Sequence, residues 1–349
     1  MRTKALPFAL ATLGLWSGSL YAQDFSAMPE YKPQRQIAGV IRVSGDYHQM
    51  AMLKGWEEKF HEYQPGIVFQ DTLTSTVHGI PALVFDVADL GLLGREIAPL
   101  ENLSFRRMFK YDPLEIATAT GSFNTQYQAY ALGIFVNKRN PLTHLTLQQA
   151  ASIFGCGPAG HVTHWGQLGL TGEWANKPIH IFGYPTDNNI ATFFALKVFQ
   201  TGGSGGPTLP NGPKWACDIK EYANTYDAND KPIVSSDAFM MKDLGKDPYA
   251  ISYCGMAEET PEVKPLALAE HSGGPYIPFT LATVADRSYP LTRSMYVYVN
   301  AAAGHPAKPA VGEFLRFILS RQGQQSVAEQ KTFLPLTAAA VQEGLKKLP

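Results

Sequence analysis

The segment that decides the fold reads YALGIFVNKRNP and occupies residues 130–141. Its first eight residues, Tyr130 to Asn137, are strongly apolar, which predicts a buried β-strand. Asn140 and Pro141 follow, and this dipeptide is typical of a turn because the residue before a proline is biased away from regular helix. The segment therefore predicts one buried strand with a sharp end.

Strand-like and helix-like segments alternate on both sides of this strand. Upstream, residues 37–43 predict a strand, residues 50–60 carry apolar side chains at helical spacing, and residues 67–69 begin another strand. Further helices are predicted at 80–84, 145–154, 190–199 and 311–319, the last continuing towards Gln330, and further strands at 179–182, 250–254 and 295–299. This alternation is typical of an α/β architecture.

Residues 1–22 have the pattern of a cleavable secretory signal. Arg2 and Lys4 give a positive start, residues 5–15 form an apolar core, and cleavage is expected after Ala22. The apolar run is shorter than the span of a bilayer, so stable membrane insertion is not expected. No cysteine directly follows the cleavage site, where it would carry a lipid anchor. We therefore expect a freely soluble protein of the periplasm.

The size and charge of the remaining chain restrict its class. Removal of the first 22 of 349 residues leaves 327 residues, more than one hydrophobic core usually holds, which predicts two lobes. Loss of Arg2 and Lys4 changes the formal net charge from −1 to −3. Nucleic acid is not an expected partner, because binding to a phosphate backbone needs clustered Lys and Arg.

Several short motifs follow one another in a distinctive order. They are IFVNKRNP at 134–141, LTLQQAASIF at 145–154, WGQLG at 165–169, PYAISY at 248–253, YPLTR at 289–293, FLRFILS at 314–320 and FLPL at 333–336. This succession resembles the phosphate-type periplasmic binding proteins of ABC transporters, whose motifs read "VNK-x-NP", "LTL…IF", "W-x-x-LG", "PgAIGY" and "YPLxR". The resemblance spans nearly the whole chain after the signal.

The resemblance implies a type II periplasmic binding fold, in which two α/β lobes joined by two strands close on a ligand in the cleft between them. The first lobe would be discontinuous and contain residues 23–137 and 285–349, and the second would contain residues 138–284. The implied function is capture of a small anion, phosphate or a related oxyanion, for uptake through an ABC permease. We expect a monomer without cofactors that performs no bond chemistry.

The resemblance places two binding turns in the first lobe. Ser44, Gly45 and Asp46 follow the first predicted strand, and Ser75 and Thr76 occupy the next junction between a strand and a helix. Such junctions suit an anion, because the N–H groups at a helix N-terminus are unpaired and carry a partial positive charge. Ordinary helix capping is the alternative explanation, since Ser, Thr and Asp are favoured N-caps in any protein.

The next turn departs from the pattern of the family. Phosphate binders usually place Ser followed by Asp there, and the Asp accepts the proton still carried by bound phosphate. This chain has Leu93 and Gly94 instead. Arg95 follows directly and is a candidate to supply charge to the ligand, with simple solvation on a loop as its alternative role.

A second departure lies at the third junction, where the family has an arginine and a GSGT cluster. This chain has YPTDNN at residues 184–189, so the guanidinium and the hydroxyl cluster are missing. Tyr184, Asn188 and Asn189 offer donors to a ligand, whereas Asp187 would repel an anion unless it is paired. The two amides would also suit a neutral or zwitterionic ligand, so the sequence leaves the cargo open.

Two other classes of function stay open beside uptake. Residues 202–206 satisfy the G-x-S-x-G pattern of hydrolases, but a nucleophile elbow needs a strand before and a helix after it, and here a predicted helix precedes and Pro207 follows. A flexible linker explains five small residues better. A periplasmic phosphatase-like hydrolase on the same fold is the second hypothesis, and an interaction or sensor protein without a transport role is the third.

The cysteines and histidines give no defined site. Cys156, Cys217 and Cys254 allow three disulfide pairings in an oxidising compartment, and the sequence does not choose among them. His161 and His164 lie three residues apart, but no CxxC or HExxH spacing accompanies them. No metal site is therefore predicted.

Overall fold

Two five-stranded sheets organise the chain. The computed structural model describes residues 24–125, 128–156, 161–199, 214–216, 218–226, 232–302 and 304–348. The predicted signal peptide, the G-x-S-x-G segment and Cys217 lie outside these ranges. Within them, no helix combines the length and the apolar character needed to cross a membrane.

The strands are short and spread along the chain. They are β1 (Ala38–Gly45), β2 (Gly66–Leu73), β3 (Leu90–Leu93), β4 (Leu114–Thr120), β5 (Gly133–Asn137), β6 (His144–Thr146), β7 (Gly155–Cys156), β8 (His180–Gly183), β9 (Lys214–Trp215), β10 (Lys220–Glu221), β11 (Thr225–Tyr226), β12 (Pro232–Val234), β13 (Ala250–Cys254), β14 (Val263–Pro265), β15 (Ala267–Ala269) and β16 (Ser294–Val299).

Helices alternate with these strands. They are α1 (Met50–Tyr63), α2 (Gly79–Val84), α3 (Pro99–Phe109), α4 (Leu147–Phe154), α5 (Asn189–Val198), α6 (Ser236–Lys246), α7 (Leu281–Ala285), α8 (Pro309–Ile318), α9 (Arg321–Gln330) and α10 (Ala338–Lys347). The α/β architecture predicted from the sequence is confirmed.

The first sheet has the strand order β2-β1-β3-β16-β4. Strand β1 runs parallel to β2 and β3, whereas β16 is antiparallel to both β3 and β4. The carboxyl ends of β1, β2 and β3 therefore meet at one edge, where the turns into the following helices gather. In open α/β sheets this edge is the usual place for a ligand.

The second sheet has the order β10-β8-β13-β5-β14. The sequence assigned the strand ending at Asn137 to the first lobe, but β5 pairs with β13 and β14 and so lies inside the second sheet. The chain therefore crosses between the sheets before Gly133. Because β5 is apolar on both faces, it needs a central position with cover on each side, which the second sheet provides.

The apolar stripe predicted for residues 50–60 packs as expected. Met52, Leu53, Trp56 and Phe60 lie on one face of α1 and are buried against the first sheet and the helices α8 and α9. The Trp56 indole Nε1 donates to the carbonyl of Gly323 at 2.9 Å, which ties α1 to α9. These contacts fix the direction of α1. Its N-terminal end follows the turn at Asp46, which faces residues that belong to the second sheet's side.

One predicted helix is divided in the structure. The sequence suggested a single helix from Val311 towards Gln330, but α8 ends at Ile318 and α9 begins at Arg321. Ser320 separates them because its side chain accepts a hydrogen bond from the Gly323 backbone and acts as an N-cap. The helical spacing of the apolar residues alone does not indicate that one helix ends and another begins at this N-cap.

Asp89 is a buried carboxylate directly before β3, the central strand of the first sheet, and it makes the stability of the fold sensitive to acid. Burial disfavours the charge of Asp89, but hydrogen bonds from Arg42 and Lys308 outweigh burial and lower the pKa of Asp89 to about 2. In the unfolded chain an Asp titrates near about 3.9, so between these values the unfolded state binds more protons. The stability from Asp89 is therefore complete above about pH 5 and is lost as the pH falls towards about 2.

We expect Asp89→Asn to lower the free energy of unfolding at pH 7 by about 1–2 kcal/mol and to flatten its dependence on pH between about 5 and 2.5. Urea titrations at a series of pH values measure both effects. Asp86→Asn is the matched control, because Asp86 pairs with the same Arg42 but its side chain is exposed. Equal pH profiles for wild type and Asp89→Asn would contradict this account of the carboxylate.

Candidate functional site

A polar cavity of about 420 Å³ lies where the turns of the two sheets face each other. The first sheet's turns contribute Asp46, Tyr47, His48, Thr76 and Arg293. The crossing segment contributes Gln128, Ala129 and Tyr130, and the second sheet's side contributes Asn188, Asn189, Ile190, Asn224, Ser235, Ser236 and Asp237. The volume lies within the usual range for small-molecule sites, about 300–1,000 Å³.

Three helices begin at this cavity. The 3-10 turn Tyr47–Gln49 leads into α1, and α5 and α6 begin beside Asn188 and Ser235. Asn188 caps α5, because its Oδ1 accepts from the Ile190 backbone at 2.7 Å. The first turns of the helices present unpaired N–H groups and a partial positive charge, an arrangement that attracts anions.

Asp46 is a buried carboxylate at the start of α1. Its side chain is the N-cap of the 3-10 turn and lies 2.7 Å from the His48 Nδ1 atom. Burial opposes its ionisation, but the hydrogen bonds and charge of His48 together with the charge of Arg293 outweigh burial and hold the pKa of Asp46 below its usual value. Asp46 is therefore an anion at neutral pH.

The carboxylate of Asp46 fills the space beside Gly94. A Cβ atom at position 94 would collide with Asp46 Oδ2 and would lie 3.5 Å from Arg293 Nη2. The turn at Gly94, where an acidic residue is expected, thus faces the carboxylate of Asp46, which lies directly after β1. The sequence shows that an acidic residue is absent at position 94, but it does not show this replacement, because the two turns meet only in the folded sheet.

Arg293 is the cation of the site and was not among the residues predicted to bind. It is 4% exposed, and its Nε donates to the carbonyl oxygen of Gly94. The guanidinium carbon lies 5.2 Å from the centre of the Phe193 ring, a cation–π contact with α5. Burial lowers the pKa of Arg293 to about 10, so it stays charged at neutral pH. The YPLTR motif contains this arginine and was the available signal.

The opposite wall of the cavity is built from hydroxyls and a second carboxylate. The Tyr130 hydroxyl donates to Asp237 Oδ2, and the Ser236 hydroxyl donates to Asp237 Oδ1 at 3.0 Å. Asn224 Oδ1 accepts from the Ser236 backbone at 2.8 Å and holds the start of α6. Burial, followed by the charge of Asp237, raises the pKa of Tyr130 well above its usual value, so this phenol remains a donor.

Four of the ten predicted binding residues line the cavity, namely Asp46, Thr76, Asn188 and Asn189. The structure does not place Ser44, Gly45, Ser75, Arg95, Tyr184 or Asp187 on its wall. Which of the lining residues contact a ligand stays a prediction.

Two of the residues away from the wall have other partners. Arg95 is buried and forms a two-pronged ion pair with Glu101, each contact 2.8 Å long, so it is neither solvated nor turned to the cavity. The Tyr184 hydroxyl is buried and donates to the Cys254 sulfur at 3.4 Å. Asp187 is exposed on the loop before α5. Cys156 and Cys254 form no disulfide with each other.

The arrangement contains no evident metal centre in the described ranges, where no group of three or more His, Cys, Asp or Glu side chains is placed to hold an ion. The cavity instead offers one fixed guanidinium, helix N-termini, hydroxyls and amides. Two α/β units with such a polar cleft between them define the class of two-lobed solute-binding proteins.

Comparisons with known proteins agree with this class. A family model described as a PBP superfamily domain matches residues 32–322. The chain belongs to this superfamily. Among curated proteins, it is 29% identical over 354 residues to the phosphate-binding protein PstS of Pseudomonas aeruginosa, covering 100% of this chain and 99% of that protein. Protein SphX of Synechococcus elongatus is 25% identical over 214 residues, which cover 60% of this chain and 55% of that protein.

Solved structures show the same fold. PstS from Borrelia burgdorferi matches with a TM-score of 0.56 at 14% identity and covers 85% of this chain and 99% of that chain. An ABC-type phosphate transport receptor from Vibrio cholerae matches with a TM-score of 0.55 at 18% identity, and the match covers 85% of this chain and 100% of that chain. The resemblance to phosphate-type periplasmic binding proteins and the two-lobed α/β fold are confirmed.

Proposed function

We propose that this protein is a periplasmic receptor that captures phosphate or a related oxyanion in the cleft and delivers it to an ABC permease. The observation that carries the proposal is Arg293, the one Lys or Arg among the described cavity-lining residues, which is buried, charged and fixed beside the starts of three helices. The name of the Pseudomonas relative adds the expectation of phosphate itself.

The chemistry of the wall suits a dehydrated oxyanion. An anion that leaves water needs fixed donors in place of its hydration shell, and a guanidinium supplies two parallel, charge-assisted hydrogen bonds. Hydroxyls of Thr76, Ser235 and Ser236 and the amides of Asn188 and Asn189 add neutral donors around it. Each of these groups binds and orients a ligand, and the proposal includes no bond chemistry.

Export and lobe closure complete the proposed role of the receptor. Residues 1–22 would direct export and be removed, leaving a soluble monomer in the periplasm. One lobe would consist of the residues up to about Thr120 together with Ser294 onward. The other lobe would consist of the residues between them, and the crossing segments would act as hinges. Closure of the lobes would bury the ligand and present one surface to the permease.

Isothermal titration calorimetry of the protein without its signal tests the function. Inorganic phosphate, sulfate and a small set of organic phosphates and phosphonates would be titrated at neutral pH. We expect saturable 1:1 binding of at least one phosphorus oxyanion, with an affinity that falls as salt is raised, since the contact is between charges. An absence of binding by every compound would contradict the receptor function.

A further inference from the structure

The charges on the cavity wall do not balance for a simple dianion. The described lining residues include two carboxylates, Asp46 and Asp237, but only one arginine. Asp46 has partners of its own, because the His48 ring contacts it and the guanidinium of Arg293 lies nearby. Asp237 differs, since the described residues place no Lys, Arg or His within ion-pair distance of it. A bound dianion would therefore meet one carboxylate that no cation of the described residues offsets.

The partners of Asp237 leave its charge in place. It accepts hydrogen bonds from the hydroxyls of Tyr130 and Ser236, which orient the carboxylate without neutralising it. It lies in the first turn of α6. This arrangement holds a fixed negative group on the cavity wall, on a different element from Arg293.

Other atoms on the wall of the same cavity suit a donor rather than an anion. Gln128 Oε1 is a buried acceptor of the same cavity without a hydrogen-bond partner among the described residues. The ring of Tyr130 and the side chains of Ala129 and Ile190 add apolar and aromatic surface, which accommodates an alkyl group or a cation. An acceptor without a donor and a carboxylate without a cationic partner, both lining one cavity, favour a ligand that brings N–H groups.

The cavity is also larger than an inorganic oxyanion requires. At about 30 Å³ for each molecule of liquid water, its volume of about 420 Å³ corresponds to roughly fourteen waters. A tetrahedral oxyanion has only five heavy atoms and would leave most of this space to solvent. The remaining room suits a short organic group attached to the oxyanion.

We infer that the ligand is a small organic phosphate or phosphonate that also carries a protonated amine. Its oxyanion would bind Arg293 and the helix N-termini, and its ammonium group would bind Asp237 with Gln128 Oε1 as a further acceptor. This inference rests on the proposed function and names the chemical class of its ligand. The two charges of such a molecule match the fixed charges of opposite sign on the wall.

Calorimetric titration with a matched set of ligands tests the inference. Aminoethyl phosphate and ethyl phosphate share the oxyanion and differ in the ammonium group, and inorganic phosphate lacks the organic group. We expect wild type to bind aminoethyl phosphate at least ten times more tightly than ethyl phosphate, and Asp237→Asn to remove most of that preference. The same variant should bind inorganic phosphate no more weakly than wild type does, because it loses a repulsive charge.

Asp243→Asn is the control, because Asp243 lies on the same helix but pairs with Lys220 and Lys246 away from the cavity. Circular dichroism and thermal unfolding would show that each variant is folded, and Asp237→Glu, which keeps the charge, should retain the preference for the amine. Equal affinities for the two esters in wild type, or a preference that survives in Asp237→Asn, would overturn the inference while binding itself still supports the receptor. No binding of these three compounds or of any other member of the oxyanion panel would overturn both.

Discussion

Replacing Arg293 by glutamine is expected to weaken binding of a phosphorus oxyanion by about 30-fold or more. Truncating one partner of a buried, hydrogen-bonded charge pair costs about 2–5 kcal/mol of binding free energy, and each 1.4 kcal/mol is about tenfold in affinity. The described wall offers no second arginine or lysine to replace it. Calorimetry with the tightest-binding oxyanion of the panel measures the loss directly.

The matched control is Arg95→Gln. Arg95 is also buried and charged and follows Gly94 in the chain, but it pairs with Glu101 and does not line the cavity. We expect this variant to be less stable and yet to bind with nearly wild-type affinity. Arg293→Lys keeps the charge without the two-pronged geometry and should bind with intermediate affinity. A folded Arg293→Gln protein that binds as wild type does would contradict the assigned role of the guanidinium.

Gly45→Ala is expected to lower the free energy of unfolding by about 2–5 kcal/mol, through backbone strain and overpacking together. Gly45 has a φ of +136°, a backbone conformation that residues other than glycine rarely adopt. An added Cβ atom would also overlap the carbonyl oxygen of Leu92 and lie 2.8 Å from the Leu92 backbone nitrogen. The backbone of the neighbouring strand β3 cannot yield without breaking its pairing with β1.

Gly39→Ala separates these two causes. Gly39 lies in the same strand and has a similar φ of +142°, but an added Cβ atom there meets no atom within 4 Å. It should therefore lose only the conformational part, about 1–3 kcal/mol. Denaturant titrations of both variants give the two values. If Gly39→Ala and Gly45→Ala are equally destabilised, the close approach of Leu92 has no energetic role.

The effect of Gly45→Ala should reach the cavity as well. Gly45 directly precedes Asp46, whose backbone N–H donates to the Leu92 carbonyl at 2.9 Å. Displacement of this turn would move the Asp46 carboxylate away from Gly94 and Arg293. Gly45 thus supports the site through the backbone, although the residue itself is not on the cavity wall.

Much of the fold could be predicted because it depends on local patterns. The spacing of apolar residues located α1, and the apolar run at 130–137 located β5. What local patterns do not contain is the pairing of strands. The position of β5 in the second sheet depends on β13 and β14, which come more than a hundred residues later.

The site was less predictable for the same reason. Asp46 and Thr76 were found because they sit at junctions between a strand and a helix, which the sequence reveals. Arg293 belongs to a motif rather than to such a junction, and its contact with Gly94 joins residues almost two hundred positions apart. Arg95 is a candidate by its position, but its side chain pairs with Glu101. This contact depends on how the loop packs in the folded protein, which local sequence patterns do not show.

A crystal structure with the tightest-binding oxyanion of the calorimetric panel tests most directly whether an oxyanion binds beside Arg293 in the cleft. We expect density for the anion within hydrogen-bond distance of the Arg293 guanidinium and of the N-terminal turn of α5 or α6. Density for the bound oxyanion at another place, with the cleft beside Arg293 occupied by water alone, would contradict it.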